Sequence, residues 1–343
     1  MGQVGRADGG QHLGRRSLAL ALYAVAFGTN VATPLFLIYE DELDLSRWTV
    51  TALFAIYPIG LAPALAYAGP TSDVLGRRVV VVPGLVLSGV ASAVMMAGSD
   101  SLAMLLFGRL LLGAVSGLVL VVASAWMQEL GDRTPMWNAR LLGLVMYGGF
   151  GLGPLVSGIL GQWSSRPLVW PYVVHLLLVV AGLAVIGTVP ETVTRHRRRI
   201  TPNLGVPSGA ASEFWRVLVP TALGVFGFPS LAFGLFPVLL RPAMADLAVF
   251  VTGVVFVLSM GLIVPAQLWV GRVGAYHAAP WGLVLGTAGT LLGLLSFATG
   301  WWGVLFPASV AMGTASGICM TSGLRFVEVL ADPAQRGALT GSF

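Results

Sequence analysis

One arginine lies deep within an apolar stretch of the sequence. Arg109 is the only charged residue in the stretch 102–124, about 10 Å from its start along a helix. An ionisable side chain inside a membrane-spanning helix is costly, so it usually marks a functional site. The alternative is that the long side chain reaches back to the nearer membrane surface. Gly113 and Gly117 follow at four-residue spacing, which would let a neighbouring helix approach closely.

A second group of residues forms a short polar link between two apolar stretches. Residues 69–78 read Gly69-Pro-Thr-Ser-Asp73-Val-Leu-Gly76-Arg77-Arg78. Glycine permits a sharp turn, and an aspartate can accept hydrogen bonds from the free N–H groups of a helix start. We expect the two arginines to anchor the link at the membrane surface. The alternative is a plain loop whose arginines only set the orientation of the protein.

A third pattern combines small residues with a proline. The sequence Gly149-x-x-x-Gly153-Pro154-x-x-Ser157-Gly158 places small residues four apart. Such residues give a helix a flat face for close packing, and Pro154 is expected to kink the helix. The alternative is generic small-residue packing, because the chain contains 45 glycines.

Groups that could carry a proton or bind a polar substrate are scarce. None of the 14 acidic residues lies in the middle of an apolar stretch, where proton-driven carriers usually hold a carboxylate or a histidine. The candidates are Glu40 and Asp41, at the end of the first stretch, and His175. A lone histidine in an apolar helix is more often structural, although its charge can change near neutral pH. Asn30 is a candidate for lining a substrate cavity, because a mid-stretch amide needs a partner.

The seventh apolar stretch is rich in phenylalanine and is interrupted by glycine and proline. Phe226 and Phe233 are candidates for lining a substrate cavity, because interrupted helices often mark binding sites. Aromatic side chains suit apolar or cationic ligands. The alternative is that these side chains pack in the core or against lipid. With no acid in the middle of an apolar stretch, a strong preference for cations is not supported.

The composition indicates that membrane helices position these residues. Of 343 residues, 56% are hydrophobic and only 10% are charged, whereas soluble domains have about 25% charged residues. This excludes a soluble enzyme, a disordered chain and a nucleic-acid-binding protein, despite the net charge of +5. The single cysteine, Cys319, excludes an internal disulfide or a cysteine metal site. No cluster of His, Asp and Glu supports a membrane enzyme, so we predict no metal, no cofactor and no enzymatic activity.

Ten apolar stretches approach or exceed the roughly 20 residues that a helix needs to cross a bilayer. We therefore predict an all-α polytopic membrane protein. Residues 1–190 would form a six-helix bundle, 191–214 a basic cytoplasmic linker, and 215–343 an incomplete bundle of four helices and the start of a fifth. The predicted spans 1 to 10 are residues 17–39, 49–68, 79–97, 102–124, 140–161, 170–190, 216–239, 247–269, 279–299 and 302–326.

The arginines predict the orientation. All 19 basic residues are arginine, and a cytoplasmic N-terminus places fifteen of them inside and three outside. The outside arginines are Arg47, Arg166 and Arg241. The excess of positive charge on cytoplasmic loops is the strongest guide to topology, so we predict that the N-terminus lies inside.

Short motifs indicate an internal repeat. Pro34-Leu-Phe-Leu, in span 1, has a counterpart in Pro237-Val-Leu-Leu of span 7, and Glu129 to Asp132 has one in Glu328 to Asp332. Parallel repeats of this kind build many transporters. The sequence stops where the counterpart of span 5 would begin, so we expect spans 11 and 12 to be missing. The chain would then be a fragment, the product of a decayed gene or an unusual ten-span protein.

The polar link at residues 69–78 resembles the loop signature of the major facilitator superfamily (MFS). Six spans, a basic linker and repeated spans fit that family along the whole chain, and Pro190-Glu191-Thr192 is similar to its usual ending of span 6. The resemblance implies a two-bundle transporter fold in which the loop latches the cytoplasmic side in one conformation. The latch residues that it implies are Gly69, Asp73, Gly76, Arg77 and Arg78.

Two further patterns resemble signatures within this family. The sequence around Arg109 is similar to the span-4 signature of proton-coupled facilitators, in which the arginine takes part in proton transfer. The pattern Gly149, Gly153, Pro154 and Gly158 is similar to the antiporter signature of exporters, with Ser157 where the family usually has glycine. The family layout lines the substrate cavity with spans 1, 4, 7 and 10, which contain Asn30, Phe226 and Phe233.

These patterns together predict a secondary transporter of the drug:proton antiporter kind. It would be a monomer in the cell membrane and would export small amphipathic organic compounds in exchange for protons by alternating access. The sequence has no G-x-x-x-x-G-K-[ST] motif and no lysine, which argues against a primary pump. The alternatives are a facilitator or symporter that imports a sugar or metabolite, and a truncated membrane protein that does not transport.

Overall fold

The computed structural model describes residues 4–130, 135–194 and 211–330, and within these residues every regular element is helical. The chain divides into two compact units, Met1–Pro202 and Asn203–Phe343. The division falls inside the predicted linker 191–214, of which residues 195–210 lie outside the described residues. Each unit is described by itself below.

The first unit contains the six predicted spans. Ser46 and Ser101 cap two of its helices, accepting hydrogen bonds from the backbone N–H groups of Thr49 and Met104. Its helices are α1 (Val4–Asn30), α2 (Phe36–Glu42), α3 (Arg47–Leu75), α4 (Arg77–Ala97), α5 (Leu102–Glu129), α6 (Pro135–Trp163) and α7 (Trp170–Ile186). Helix α5 packs against α1, α3 and α4 and forms the centre of the unit.

The second unit contains four predicted spans. Its helices are α8 (Ala211–Glu213), α9 (Val219–Pro229), α10 (Phe236–Met244), α11 (Ala248–Gly261), α12 (Ile263–Val273), α13 (Ala275–Thr299) and α14 (Leu305–Leu330). Two π-helical segments, Phe214–Leu218 and Ser230–Leu235, join α8, α9 and α10 into span 7. Ala245 then adopts a left-handed conformation with φ 46°, and α11 packs back on α10.

Seven helical segments of the described residues are long and apolar enough to cross a membrane. One of them, Ala211–Val273, contains 63 residues and covers predicted spans 7 and 8, with the turn at Ala245 between them. Helix α7, with 17 residues, is just shorter than that group. The prediction of an all-α polytopic membrane protein is confirmed.

Glycines bring α3 and α5 into backbone contact. A Cβ atom added at Gly113 would lie 2.1 Å from the carbonyl oxygen of Tyr57, and one added at Gly60 would lie 2.1 Å from that of Leu110. A Cβ atom added at Gly117 would lie 2.7 Å from the Ala64 Cβ and 2.9 Å from the Leu61 carbonyl oxygen, both on α3. The close approach expected at Gly113 and Gly117 is therefore present.

The same contact recurs in the second unit, 200 residues later. A Cβ atom added at Gly313 of α14 would lie 2.1 Å from the carbonyl oxygen of Ser259, and one at Gly317 would lie 2.7 Å from that of Ile263. The turns that precede α4 and α13 also match, because Gly76 has φ 99° and ψ 154° and Gly274 has φ 86° and ψ 148°. The internal repeat is thus a repeat of packing geometry as well as of sequence motifs.

Span 1 is broken, which differs from the continuous helix predicted over 17–39. Helix α1 ends at Asn30, the backbone N–H groups of Thr33 and Leu35 bond to oxygens three residues earlier, and α2 begins at Phe36. Pro34 explains the break, because it lacks an N–H group and disfavours a helical conformation of the residue before it. Asn30 therefore lies at the end of a helix rather than within one.

Two other predicted boundaries were wrong. Residues 69–78 are not a ten-residue link, because α3 continues to Leu75 and Gly76 alone separates it from α4. Span 6 ends at Ile186 rather than at residue 190. Membrane helices tolerate Gly and Pro, so residues such as Pro70 did not end α3 as they would in a soluble helix.

Candidate functional site

Arg109 is fully enclosed within the first unit. Its residue surface is 2% exposed, so the guanidinium does not reach back to the membrane surface. Nε donates to the carbonyl oxygen of Leu53 at 3.1 Å, and Nη1 donates to that of Thr29 at 3.2 Å. Helix α5 thus presents a positive charge that is held by backbone groups of α3 and α1.

Two aromatic rings complete the surroundings of Arg109. Its Cζ atom lies 5.2 Å from the ring centre of Phe36 and 4.9 Å from that of Tyr57, within the range of cation–π attraction. Among the described residues, no carboxylate lies within ion-pair distance of the guanidinium. The break in span 1 is what brings Phe36 to this position, because α2 begins there.

Thr29 links Arg109 to a second polar group. The Thr29 hydroxyl lies 2.9 Å from the Ser116 hydroxyl and donates to the Val25 carbonyl at 2.8 Å, while the Thr29 carbonyl accepts from Arg109. Asn30, the predicted cavity residue, follows Thr29 directly and is half-buried. The structure therefore brings Asn30 and Arg109 to the same region of the first unit.

A buried tyrosine pair links α2 to α7. The hydroxyl groups of Tyr39 and Tyr172 lie 3.0 Å apart, and Tyr39 donates to the carbonyl oxygen of Met95 at 2.9 Å. Both tyrosines are fully buried. Sequence reasoning missed this pair, although a tyrosine in an apolar helix is a polar group that needs a partner.

His175 is fully buried one helical turn after Tyr172. Its Nδ1 lies 2.7 Å from the Ser92 hydroxyl, and its Nε2 lies 3.4 Å from that of Ser88. A Cβ atom added at Gly28 would lie 2.1 Å from Nε2, so the imidazole fills the space that this glycine leaves in α1. The arrangement fits the structural role that a lone histidine usually has.

At the opposite end of the unit, Arg77 joins two carboxylates. Its guanidinium lies 2.6 Å from a carboxylate oxygen of Asp73 and 2.6 Å from one of Glu129, and it also bonds to the Ser72 hydroxyl. We call Asp73, Arg77, Glu129 and Glu191 the carboxylate–arginine clasp. Arg77 is only 7% exposed, because its guanidinium is enclosed by these partners.

Glu191 closes the clasp by capping α4. Its carboxylate accepts hydrogen bonds from the backbone N–H groups of Arg77 at 3.0 Å and Arg78 at 2.9 Å. We expected Asp73 to bind these N–H groups, but its carboxylate contacts the Arg77 side chain instead. Partial burial raises the pKa of Glu191, but the N–H donors at Arg78, Arg77, Val193 and Thr192 outweigh it, so the pKa lies below its ordinary value.

The chain after span 6 is held against the first unit by further bonds. Arg78 donates to the carbonyl oxygens of Gly187 and Val189, and the indole N–H of Trp126 donates to that of Pro190 at 2.8 Å. The Thr192 hydroxyl donates to Glu129. In the sequence, Pro190-Glu191-Thr192 and Glu129 are separate motifs with no sign that they meet. The packing of α4, α5 and α7 brings these residues together.

The glycines of the predicted latch differ in their surroundings. Gly76 has a positive φ, and a Cβ atom there would lie 3.0 Å from a Glu191 carboxylate oxygen, so both the turn and the capping contact favour glycine. Gly69 lies within α3, and no atom lies within 4 Å of an added Cβ.

The small-residue face of α6 packs on α1. A Cβ atom added at Gly149 would lie 2.7 Å from the Ala26 Cβ, and one at Gly153 would lie 2.2 Å from the Phe27 carbonyl oxygen. Pro154 and Gly158 are buried, and α6 runs through Pro154 without a break. This face brings α6 beside the helix whose Thr29 carbonyl binds Arg109.

The aromatic residues of span 7 lie at an irregular helix. Pro229 ends α9, and the π-helical segment Ser230–Leu235 follows, a geometry that is rare and often found at functional sites. The Phe226 side chain is 63% exposed. The Phe233 ring stacks on that of Phe256, with ring centres 3.9 Å apart.

Solved structures share this fold. The chain matches a mutant of the nucleoside transporter NupG with a TM-score of 0.73 and 16% identity, over 95% of this chain and 86% of that one. It matches the xylose transporter XylE from E. coli with a TM-score of 0.67 and 17% identity, over 96% of this chain and 89% of that one. At these identities the likeness shows the fold alone.

Curated relatives match parts of the chain. The Quinolone resistance protein NorA of Staphylococcus aureus strain MRSA252 is 21% identical over 216 residues, which are 62% of this chain and 53% of that protein. A triacylglyceride transporter of Mycolicibacterium smegmatis is 34% identical over 121 residues, which are 35% of this chain and 20% of that protein. The chain therefore spans about half the length, or less, of these relatives.

The family model that matches is described as the Major Facilitator Superfamily, and it covers residues 18–343. The predicted resemblance is confirmed, and membership of this family agrees with the prediction that the chain is not an enzyme. Since the match covers nearly the whole chain and the helical architecture agrees with it, the protein belongs to the major facilitator superfamily.

Proposed function

We propose that the protein is a secondary transporter of the cell membrane that exports small amphipathic organic compounds in exchange for protons. It acts as a monomer by alternating access, with its N-terminus in the cytoplasm. The observation that carries the proposal is the enclosed Arg109, a charge held by two backbone carbonyls and without a described carboxylate partner. A residue that is so costly to bury usually serves function.

The contacts of Arg109 suggest how it takes part in coupling. Both of its hydrogen-bond acceptors belong to helices other than α5, namely the Thr29 carbonyl on α1 and the Leu53 carbonyl on α3. A shift of either helix along α5 would break one of these bonds and free an N–H group for a substrate or water. Arginine is not deprotonated in proteins, so Arg109 acts as a fixed positive charge rather than as a proton carrier.

Three observations support export, the latch and the substrate class. The α6 face that carries the antiporter-type pattern, Gly149, Gly153, Pro154 and Gly158, packs directly on α1. Because the Thr29 carbonyl of α1 accepts from Arg109, this face lies beside the proposed coupling site. The clasp holds the buried latch residue Arg77 through the carboxylates of Asp73 and Glu129 at its guanidinium and that of Glu191 at its backbone N–H. The likeness to a quinolone resistance protein supports an amphipathic organic substrate.

The proposal is tested in inverted membrane vesicles that carry the full chain. Respiration acidifies the vesicles, a quinolone is added, and a pH-sensitive dye reports proton movement. We expect the quinolone to release protons from wild-type vesicles. Release should be at least tenfold slower with Arg109→Ala, because removing one positioned electrostatic group typically slows a reaction by at least this factor. Arg166→Ala, which removes an arginine of the loop before α7, serves as the matched control and should behave as wild type.

Vesicles of both orientations separate the alternatives. A facilitator or symporter for a sugar or metabolite would leave the quinolone response of inverted vesicles absent, and right-side-out vesicles would take up radiolabelled xylose or a nucleoside, the compounds named for the solved neighbours. A membrane protein that does not transport would show neither response while being inserted normally. Either result would contradict the proposed export.

A further inference from the structure

A groove of about 550 Å³ lies within the second unit, between α12, α13 and α14. Apolar side chains form most of its walls, and the hydroxyl of Thr314 donates to the Val310 carbonyl of its own helix. Trp281 is 64% exposed and Trp269 is 40% exposed. The lining includes Leu262, Trp269, Trp281, Leu285, Thr314 and Ile318. Two large indoles are thus left uncovered within the part of the chain that the structure describes.

Two basic or hydrogen-bonding residues lie beyond the lining residues at one end of the groove. Arg272 follows Trp269 by three residues on α12, and His277 precedes Trp281 by four residues on α13, a spacing that puts each on the same helix face as its tryptophan. Both side chains are exposed, and the tight turn at Gly274 places them at the same end. The sequence of α12 and α13 contains no acidic residue.

The length of the groove matches one leaflet of a membrane. From Leu262 to Arg272 an α-helix rises about 15 Å, which is half of the roughly 30 Å hydrocarbon core of a bilayer. Tryptophan side chains are enriched where the hydrocarbon meets the lipid headgroups. Apolar walls with a basic end and flanking indoles are complementary to a molecule with an acyl chain and an anionic head.

We propose that this groove binds one anionic phospholipid, with an acyl chain along the apolar walls and its phosphate at Arg272 and His277. The guanidinium and the imidazole N–H donate hydrogen bonds to the phosphate oxygens, and Trp269 and Trp281 flank the glycerol region. The groove contains none of the residues proposed for coupling, for the latch or for the substrate cavity. The lipid proposal rests on the proposed orientation only for the choice of leaflet. With the N-terminus in the cytoplasm, Arg272 and His277 lie at the cytoplasmic leaflet, which is the more anionic one.

The test measures lipid retention by the full chain. The purified protein is equilibrated with phosphatidylglycerol or with phosphatidylcholine of the same acyl chains, and retained lipids are counted by native mass spectrometry. We expect one tightly retained phosphatidylglycerol and about fivefold weaker retention in Arg272→Gln, the effect of one basic residue at a membrane surface. Arg47→Gln, at an exposed position of the first unit, is the control and should retain the lipid. Equal retention of phosphatidylcholine, or no effect of Arg272→Gln, would overturn the proposal.

A second measurement locates the acyl chain. Phosphatidylglycerol with brominated acyl chains quenches nearby indoles, so it should quench the wild type more than brominated phosphatidylcholine does. This excess should fall in Trp281→Phe, which removes an indole of the groove. It should persist in Trp301→Phe, because Trp301 lies at the opposite end of α13 from His277. If a second copy of the chain covered the groove, the protein would be dimeric and the excess absent. Neither measurement requires transport, so a negative result would overturn the lipid site without affecting the proposed export.

Discussion

At the scale of single residues, two buried arginines are stabilised in different ways. Arg109 is held by two backbone carbonyls and two aromatic rings, whereas Arg77 is held by the carboxylates of Asp73 and Glu129. A guanidinium has five donors, so either set can replace part of its hydration. The difference matters because carbonyl groups carry no net charge, so the positive charge of Arg109 is not neutralised. The positive charge of Arg77 is neutralised by the carboxylates of the clasp.

The clasp predicts a stability effect at Arg77. In Arg77→Gln, Glu129 and Asp73 lose their charged partner while Glu129 stays partly buried, so we expect a loss of about 1–3 kcal/mol in the free energy of unfolding. The measurement is the midpoint of thermal unfolding in detergent. The matched control is Arg325→Gln, which removes an exposed pair with Glu328 at 2.8 Å and should cost about 0–1 kcal/mol. Equal shifts in the two variants would contradict the structural role of the clasp.

At the scale of elements, glycines decide which helices touch. Helix α5 meets α3 at Gly113, and α14 meets α11 at Gly313, each with backbone atoms in contact. The break in span 1 is equally decisive, because it ends α1 beside Arg109 and starts α2 with Phe36 at the guanidinium. Close packing and a local break in a helix therefore build the Arg109 site together.

The glycine contacts predict a large difference between two identical substitutions. In Gly113→Ala the added methyl group would meet the Tyr57 carbonyl oxygen at 2.1 Å, so α3 must shift, and we expect a cost of about 1–3 kcal/mol. Gly148→Ala, on α6, meets no atom within 4 Å and should be neutral or slightly stabilising. Thermal unfolding of the two purified variants measures the difference. A stable Gly113→Ala protein with wild-type behaviour would contradict the α3–α5 contact.

At the scale of the whole molecule, a repeated scaffold carries a site in only one half. Gly113 and Gly313 occupy equivalent positions 200 residues apart, but the equivalent of Arg109 is Ser309, whose hydroxyl donates to the Leu305 carbonyl of its own helix. The repeat therefore maintains packing, and the buried charge belongs to the first unit alone among the described residues.

The orientation is a prediction for the whole molecule. Cys319 is the single cysteine and is buried, so Cys319→Ser gives a background without reactive thiols. In that background, Trp48→Cys introduces a thiol at an exposed position between spans 1 and 2. Tyr276→Cys introduces one at the exposed turn between α12 and α13. We expect an impermeant maleimide to label position 48 in intact cells, and position 276 only after permeabilisation. The reverse pattern would show that the N-terminus lies outside.

Some of the site was predictable from local sequence. Arg109 stood out because a charge in an apolar helix is costly, and Gly113 and Gly117 stood out because their spacing puts them on one face. The partners of Arg109 were not predictable, since two are backbone carbonyls and every residue has one. Glu191 was equally hidden as a cap for α4, because 114 residues separate it from Arg77.

The sequence by itself determined the class of the molecule. Its hydropathy, the spacing of its apolar stretches and its short motifs are local properties, and they were enough for an all-α membrane protein of this family with a repeated half. The tertiary structure decided which polar groups meet. Contacts such as Glu191 with the start of α4, or Arg109 with Thr29, depend on how helices distant in sequence pack, and side-chain spacing along one helix does not identify which residues of a neighbouring helix it meets.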